Sequence, residues 1–174
     1  MADGLEIELI GFDKLDANLR ELELDGATGE RILRKALRAG GEVVQAAIVE
    51  RAPVRTEGLG GNSANPAYDL PAGALKSDIE VHVTKDKETN SFAVYIGSGK
   101  YTKFVATLQE YGHNMVSGGR LFNWRKRGKG RHLGFVPARP FVRPAWDESQ
   151  DAAIEAIEES IATDILKEVQ KLGG

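Results

Sequence analysis

A basic run with aromatic and glycine neighbours is the strongest chemical feature of the sequence. Residues 124–132 read Trp-Arg-Lys-Arg-Gly-Lys-Gly-Arg-His. Guanidinium and ammonium groups bind phosphates and an aromatic ring stacks on a base, so this composition suits a nucleic-acid backbone. It suits equally an acidic surface on a neighbouring subunit, because charge runs are not specific for one partner. The candidate contact residues are Arg120, Arg125, Lys126, Arg127, Lys129 and Arg131.

Patterns typical of catalysis or metal binding are missing from the sequence. There is no Cys, and His82, His113 and His132 do not stand at the spacing of metal ligands. The glycines of residues 58–61 lack the Lys and Ser/Thr of a phosphate-binding loop. No Gly-x-Ser-x-Gly occurs, and no pair of carboxylates falls in a predicted apolar pocket. We therefore expect no metal, no cofactor and no enzymatic activity.

The charge of the chain is distributed very unevenly. The chain has 174 residues, a length that suits one globular domain spanning residues 1–174. Its formal net charge is −3. Residues 1–27 have a net charge of −6, residues 113–143 of +8 and residues 144–174 of −6. Surfaces of opposite charge can pair one copy of the chain with another, and a basic surface can bind an anion. The sequence predicts no signal peptide and no membrane span.

Hydrophobic periodicity predicts the elements of the first two thirds of the chain. Alternation at residues 5–9 predicts a short strand, and three-to-four spacing at residues 12–22 predicts a first helix. A longer helix with one apolar face is expected from an N-cap at Thr28 to about Ala52, where Pro53 ends it. Its predicted buried residues are Ile32, Leu33, Ala36, Leu37, Gly40, Val44, Ala47 and Ile48. The alternating residues at 79–83 and 92–96 predict an antiparallel hairpin.

The last third of the chain combines a short helix, a loop and a long helix. Residues 101–111 predict a short helix that turns Phe104, Val105, Leu108 and Tyr111 inward, and residues 113–134 predict a long basic loop. Three prolines make residues 135–144 extended, and residues 145–172 predict a terminal helix. Its apolar stripe is Ile154, Ile157, Ile161, Ile165, Val169 and Leu172. The predicted fold class is α+β, an antiparallel sheet of about four strands packed by long amphipathic helices.

Three segments, the first of them interrupted by an insert, resemble one protein family in order along the chain. Residues 50–58 read Glu-Arg-Ala-Pro-Val-Arg-Thr-Glu-Gly, and residues 74–79 read Ala-Leu-Lys-Ser-Asp-Ile. Residues 108–112 read Leu-Gln-Glu-Tyr-Gly, and residues 137–147 read Pro-Ala-Arg-Pro-Phe-Val-Arg-Pro-Ala-Trp-Asp. Together they resemble the tail-component (neck and tail-completion) family of long-tailed double-stranded DNA bacteriophages and prophages. Glu57, the insert at 60–73 and the basic loop depart from the family pattern.

The resemblance implies a structural role in the virion neck or tail, with host cytoplasm as the site of assembly. It implies a ring, of six copies, that joins the head connector to the tail tube and leaves a channel for genome DNA. The implied partners are copies of itself and the neighbouring neck, connector and tail-terminator or tail-tube proteins, with no membrane. The alternative is a nucleic-acid-binding module that uses residues 120–132. We expect structural or subunit contacts from Arg139, Phe141, Arg143, Leu121, Phe122 and Trp124.

Overall fold

The computed structural model describes residues 26–54, 70–86, 91–100, 102–117 and 131–172. The elements in chain order are helix α1 (Gly26–Arg51), helix α2 (Ala74–Ser77), strand β1 (Ile79–Lys85), strand β2 (Phe92–Ser98), helix α3 (Lys103–Tyr111), strand β3 (His113–Ser117), strand β4 (Arg131–Val136) and helix α4 (Val142–Leu172). The predicted strand at 5–9 and helix at 12–22 lie outside the described residues. No described helix is long and apolar enough to cross a membrane.

The two long helices, α1 and α4, pack against each other in antiparallel orientation. Seven of the eight predicted core positions of α1 are buried, Ala47 is half-buried, and Gly41 is buried in addition. Thr28, the predicted N-cap, lies inside the helix, which ends at Arg51 before Pro53 as expected. Ion pairs Arg31–Glu168 and Lys35–Asp164 (2.6 and 2.7 Å between N and O) join one end of the pair, and Arg51 pairs with Glu148 at the other.

Helix α4 buries a different face from the predicted one. Ile157 and Ile161 are in the core, but Ile154 and Val169 are exposed and Ile165 is only half-buried. The rest of the buried face is supplied by Val142 at the start of the helix, by small residues and by an aspartate, namely Ala145, Ser149, Ala153 and Asp164. Small side chains are needed because the helices approach closely at Gly40, where a Cβ would lie 2.5 Å from Ile157 Cγ1. Helix α4 also begins at Val142, three residues earlier than predicted, and it tolerates Pro144 because first-turn N–H groups have no helical acceptor.

Strands β1 and β2 form the predicted antiparallel hairpin and also pack on α1. Val81 pairs with Ile96 and Val83 with Val94, in a register that turns alternate residues towards the helix. Gly41 lets the hairpin approach, since a Cβ there would lie 2.7 Å from Val81 Cγ1. This hairpin and the two long helices enclose the hydrophobic core.

Helix α3 is turned differently from the predicted orientation. Phe104 and Tyr111 are exposed, and Val105 and Leu108 are half-buried. The residues on the inward face are Thr102, Ala106 and Glu110. Thr102 Oγ1 donates to Asp78 Oδ2 (2.6 Å), so a polar contact positions the start of this helix against the end of α2. The inward face of α3 therefore begins at Thr102 and ends at Glu110, and both of these polar residues have hydrogen-bond partners inside the protein.

A second antiparallel hairpin replaces both ends of the predicted basic loop. Residues 113–117 and 131–136 pair as β3 and β4, with an irregularity between Met115 and Val116. Residues 118–130 lie outside the described residues. The α+β class is confirmed, but the four strands that the structure describes form two separate two-stranded sheets rather than one sheet. Within that part of the chain, β3 and β4 pack chiefly on each other, and we call them the arm.

Replacing Gly40 by Ala should lower the free energy of unfolding. Its Cβ would lie 2.9 Å from the Ala153 carbonyl oxygen, a backbone atom that cannot move without shifting α4. Overpacking costs roughly 1–3 kcal/mol, and the helix-propensity gain of up to about 1 kcal/mol offsets only part of it. Gly29→Ala is the matched control, because no atom lies within 4 Å of the methyl group that it would add, and the same change should there be stabilising. Urea unfolding of both variants measures the two signs, and a Gly40→Ala protein stabilised as much as the control would contradict the close approach.

Candidate functional site

The Pro-Ala-Arg-Pro-Phe segment runs along the end of α3 and leads into α4. Pro137 and Pro140 fix their backbone φ angles and keep this stretch extended. The Arg139 N–H donates to the Gln109 carbonyl oxygen at 2.7 Å, which holds the segment against the helix. Residues 137–140 are exposed, whereas Phe141 is 3% exposed and packs in the hydrophobic core. The segment therefore has an outer half on the surface and an inner half that anchors it.

A buried carboxylate on α3 binds the first turn of α4. Glu110 is 0% exposed, and its Oε2 accepts the N–H groups of Phe141 (2.8 Å) and Val142 (3.1 Å). Its Oε1 accepts from the backbone N–H (3.4 Å) and the side-chain Nε (3.2 Å) of Arg143. Pro144 has no N–H to satisfy. A side chain from a distant helix thus caps α4, in the place where a local Ser, Thr or Asp commonly does so.

The donors keep the Glu110 carboxyl ionised. Burial by itself would raise its pKa, but the hydrogen bonds from the Phe141, Val142 and Arg143 backbone and from the Arg143 side chain together lower the pKa below the ordinary value. The N-terminal end of a helix dipole favours the negative charge as well. Because both oxygens are occupied by groups of the protein, this carboxylate positions the chain rather than offering itself to a substrate.

An exposed aromatic and basic surface lies directly outside this carboxylate. The Arg143 guanidinium is 5.2 Å from the centre of the Tyr111 ring, and its side chain is 61% exposed. Phe135, 60% exposed, reaches across Gly112, where a Cβ would lie 2.8 Å from the Phe135 ring and 2.6 Å from the Val136 carbonyl. Gly112 has a φ of 73°, a conformation that glycine adopts most easily. Both this backbone angle and the lack of space for a Cβ therefore favour glycine there. We call Tyr111, Phe135, Arg139 and Arg143 the aromatic–arginine face.

The structure locates some of the predicted contact residues and leaves others undescribed. Phe141 lies in the core, Arg143 bridges Glu110 and Tyr111, and the exposed Arg139 side chain has no ion pair among the described residues. Arg131 begins strand β4. The remaining predicted contacts lie outside the described residues; they are Arg120, Leu121, Phe122, Trp124, Arg125, Lys126, Arg127 and Lys129.

Sequence reasoning did not select Glu110 or Tyr111 as site residues. A Glu in an amphipathic helix is normally solvated, and the residues predicted to face inward were the apolar and aromatic ones. The sequence feature that could have identified them is the Glu-Tyr-Gly at the end of α3. From the sequence it indicates the family resemblance but not the roles of the three residues. Its Glu caps α4, its Tyr stacks on Arg143 and its Gly admits the base of the arm.

An open cleft of about 310 Å³ lies on the other side of Phe141. Its floor is made of core residues, including Ile48, Ile79 and Ile96, and its rim carries Glu80 and His82, whose side chains are 2.9 Å apart and exposed. The described residues contain no group of three or more His, Asp or Glu that could hold a metal ion.

A protein-family model matches part of this chain. The family model described as "Bacteriophage HK97-gp10, putative tail-component" matches residues 13–112, which is more than half of the chain. The matched region contains α1, the β1–β2 hairpin and α3 up to the Glu-Tyr-Gly, and it ends before the Pro-Ala-Arg-Pro-Phe segment. No curated protein and no solved structure matches the chain.

Replacing Glu110 by Gln should destabilise the fold at neutral pH. The amide cannot accept at both positions, so buried N–H groups lose a charged acceptor, at a cost of roughly 1–3 kcal/mol. Because the pKa of Glu110 is lowered in the folded state, its stabilisation is present above the ordinary value of 4.5 and is lost as the pH falls through the folded pKa. The difference in unfolding free energy between wild type and Glu110→Gln should therefore shrink below about pH 4.5.

Chemical unfolding at a series of pH values between neutral and strongly acidic measures this difference. Asp164 also has a lowered pKa, chiefly through its hydrogen bond from Lys35, so acid destabilises both proteins and only their difference isolates Glu110. The exposed Glu42→Gln on α1 is the control and should match wild type throughout. A Glu110→Gln deficit that stays constant into acid would show that the charge of Glu110 contributes nothing.

Proposed function

The chain belongs to the HK97-gp10 tail-component family of bacteriophages, and from this premise we propose that it is a ring-forming structural subunit of the phage neck or tail. In this role copies of the chain join the head connector to the tail tube and leave a channel through which the genome DNA passes. The role is mechanical rather than enzymatic. The observation that carries the proposal is the family match, which covers the frame formed by α1, the first hairpin and α3.

The arm supports a role in assembly because the described part of the chain leaves it largely unburied. Met115, Leu133 and Phe135 are large apolar residues, and all three are exposed. A two-stranded hairpin is only marginally stable in water without a surface to pack on. Exposed apolar groups clustered on one element commonly mark a contact with another protein. A neighbouring copy in a ring would supply this missing surface.

The charge distribution supports contacts between unlike surfaces. A ring uses heterologous contacts, in which one surface of a subunit meets a different surface of the next. The net charge of +8 in residues 113–143 and of −6 in residues 144–174 provides two such surfaces on one chain. We propose six copies, bordered by neck, connector and tail-terminator or tail-tube proteins. The proposed location is the virion, after assembly in the host cytoplasm.

The alternative function is binding of nucleic acid through residues 120–132. The basic run supports it, since Lys and Arg neutralise phosphates and release counterions. The exposed apolar residues of the arm do not support it, because a phosphate backbone offers them little to pack against. DNA passing through the ring is compatible with weak contacts of the basic run, so the two functions differ in which partner orders the arm.

Native mass spectrometry and hydrogen exchange test the proposal on the full-length chain. Rising protein concentration should convert monomers into one closed species, of six copies, without DNA. The amides of β3 and β4 should exchange rapidly in the monomer and become protected on assembly, since association buries Met115, Leu133 and Phe135. The amides of α1 are the internal control and should be protected in both states.

The alternative makes the opposite forecast for the same samples. A chain that stays monomeric at every concentration, and whose arm becomes protected only when DNA is added, would replace the ring by the nucleic-acid module. Its DNA affinity should then fall steeply with salt. Imaging of the neck in an intact virion, with this chain fitted to the density, tests the location independently.

A further inference from the structure

We propose that the aromatic–arginine face of one copy packs on an acidic stripe along α4 of the next copy. The acidic stripe consists of Asp151, Ile154, Glu155 and Glu158. This inference rests on the proposed ring and adds to it the two surfaces that form the subunit contact. Both surfaces are composed of described residues, and neither includes any residue of the basic segment at 120–132.

The aromatic–arginine face is built to receive carboxylates. Arg139 is exposed, and its backbone is fixed by the flanking Pro140 and by the hydrogen bond from its N–H to Gln109. A guanidinium on a rigid backbone loses less freedom when it binds a carboxylate in a bidentate arrangement. Tyr111 and Phe135 beside it supply exposed aromatic area, and Tyr and Arg are enriched at the centres of protein interfaces.

The acidic stripe presents the complementary chemistry on one face of a helix. Its four residues follow one another at spacings of three, one and three, which places them side by side on the helix surface. Asp151, Glu155 and Glu158 are exposed and have no ion pair among the described residues, and Ile154 between them is 47% exposed. Like charges four residues apart, as at Asp151 and Glu155, destabilise an isolated helix. A cationic partner would remove this repulsion and cover the isoleucine.

The partner that fits the stripe is a second copy of this chain. The ion pairs that the structure does form between α1 and α4 use Glu148, Asp164 and Glu168, so they leave the stripe facing outward. The aromatic–arginine face and the stripe are different surfaces of the same molecule, with opposite charge and with exposed apolar or aromatic residues in each. Contacts between such surfaces are heterologous and repeat from copy to copy until the ring closes.

Charge reversal across the contact tests the proposal. Arg139→Glu places a carboxylate opposite the acidic stripe, and Glu155→Arg places a guanidinium opposite Arg139, so each alone introduces a like-charge contact and should weaken association by roughly 100-fold or more. The double variant Arg139→Glu, Glu155→Arg restores opposite charges at every contact and should recover assembly. An equimolar mixture of the two single variants should also assemble, with the two variants alternating around the ring.

Controls separate the surfaces from folding and from net charge. Arg38→Glu and Glu42→Arg change the same charges at exposed positions on α1 and should assemble as wild type does. Melting followed by circular dichroism should be unchanged in all variants, since neither Arg139 nor Glu155 has a described side-chain partner. Native mass spectrometry at matched concentrations gives the association constant of each.

Each outcome decides a different claim. Rings formed equally well by wild type and by both single variants would overturn these surfaces while leaving the ring intact. Loss of assembly in both single variants without recovery in the double variant or in the mixture would also overturn the direct pairing. A wild-type chain that never associates would remove the proposed ring and this contact together. Loss of DNA binding by Arg139→Glu, with assembly unchanged, would assign the aromatic–arginine face to nucleic acid.

Discussion

Burial of one ionised carboxylate constrains the whole C-terminal half of this protein. A carboxylate excluded from water is strongly unfavourable unless donors surround it. For Glu110 those donors are the Phe141, Val142 and Arg143 N–H groups and the Arg143 side chain, and they converge only if the chain is extended up to residue 141 and helical from Val142 onward. The start of α4, the direction of the Pro-Ala-Arg-Pro-Phe segment and the rotation of α3 are therefore set together.

The rotation of α3 determines what the protein shows to its surroundings. With Thr102, Ala106 and Glu110 turned inward, Tyr111 is on the surface, and Gly112 brings the arm up beside it. The hydrogen bonds to Glu110 hold the chain at Phe141, which is buried. The hydrogen bond from the Arg139 N–H to Gln109 fixes the backbone of Arg139, which is exposed. One polar interaction inside the molecule thus produces an aromatic and basic surface outside it.

The close pairing of α1 with α4 supplies the rigidity that such a surface requires. Gly40 lets the helix axes approach, and ion pairs at both ends of the antiparallel pair fix their relative position along the axis. In the proposed role the subunit transmits load between head and tail, and a frame that does not shear suits that role. Its contacts can then be carried by side chains at the surface, where complementary charge specifies the neighbour more than it adds affinity.

Periodicity in the sequence was sufficient to predict α1, its buried face, the β1–β2 hairpin and the α+β class. These elements repeat apolar residues at one regular spacing, and each buries the face that the spacing defines. Family motifs in the sequence identified the tail-component family. Three features were decided by tertiary contacts. Phe104 and Tyr111 of α3 face outward because Glu110 binds donors 31 to 33 residues away. The core face of α4 uses alanines and a serine because Gly40 draws the helices together. The ends of the basic segment pair as strands, although Gly134 and the basic composition favoured a loop. In each case local composition reports which side chains are apolar, whereas burial depends on partners that only folding brings within reach.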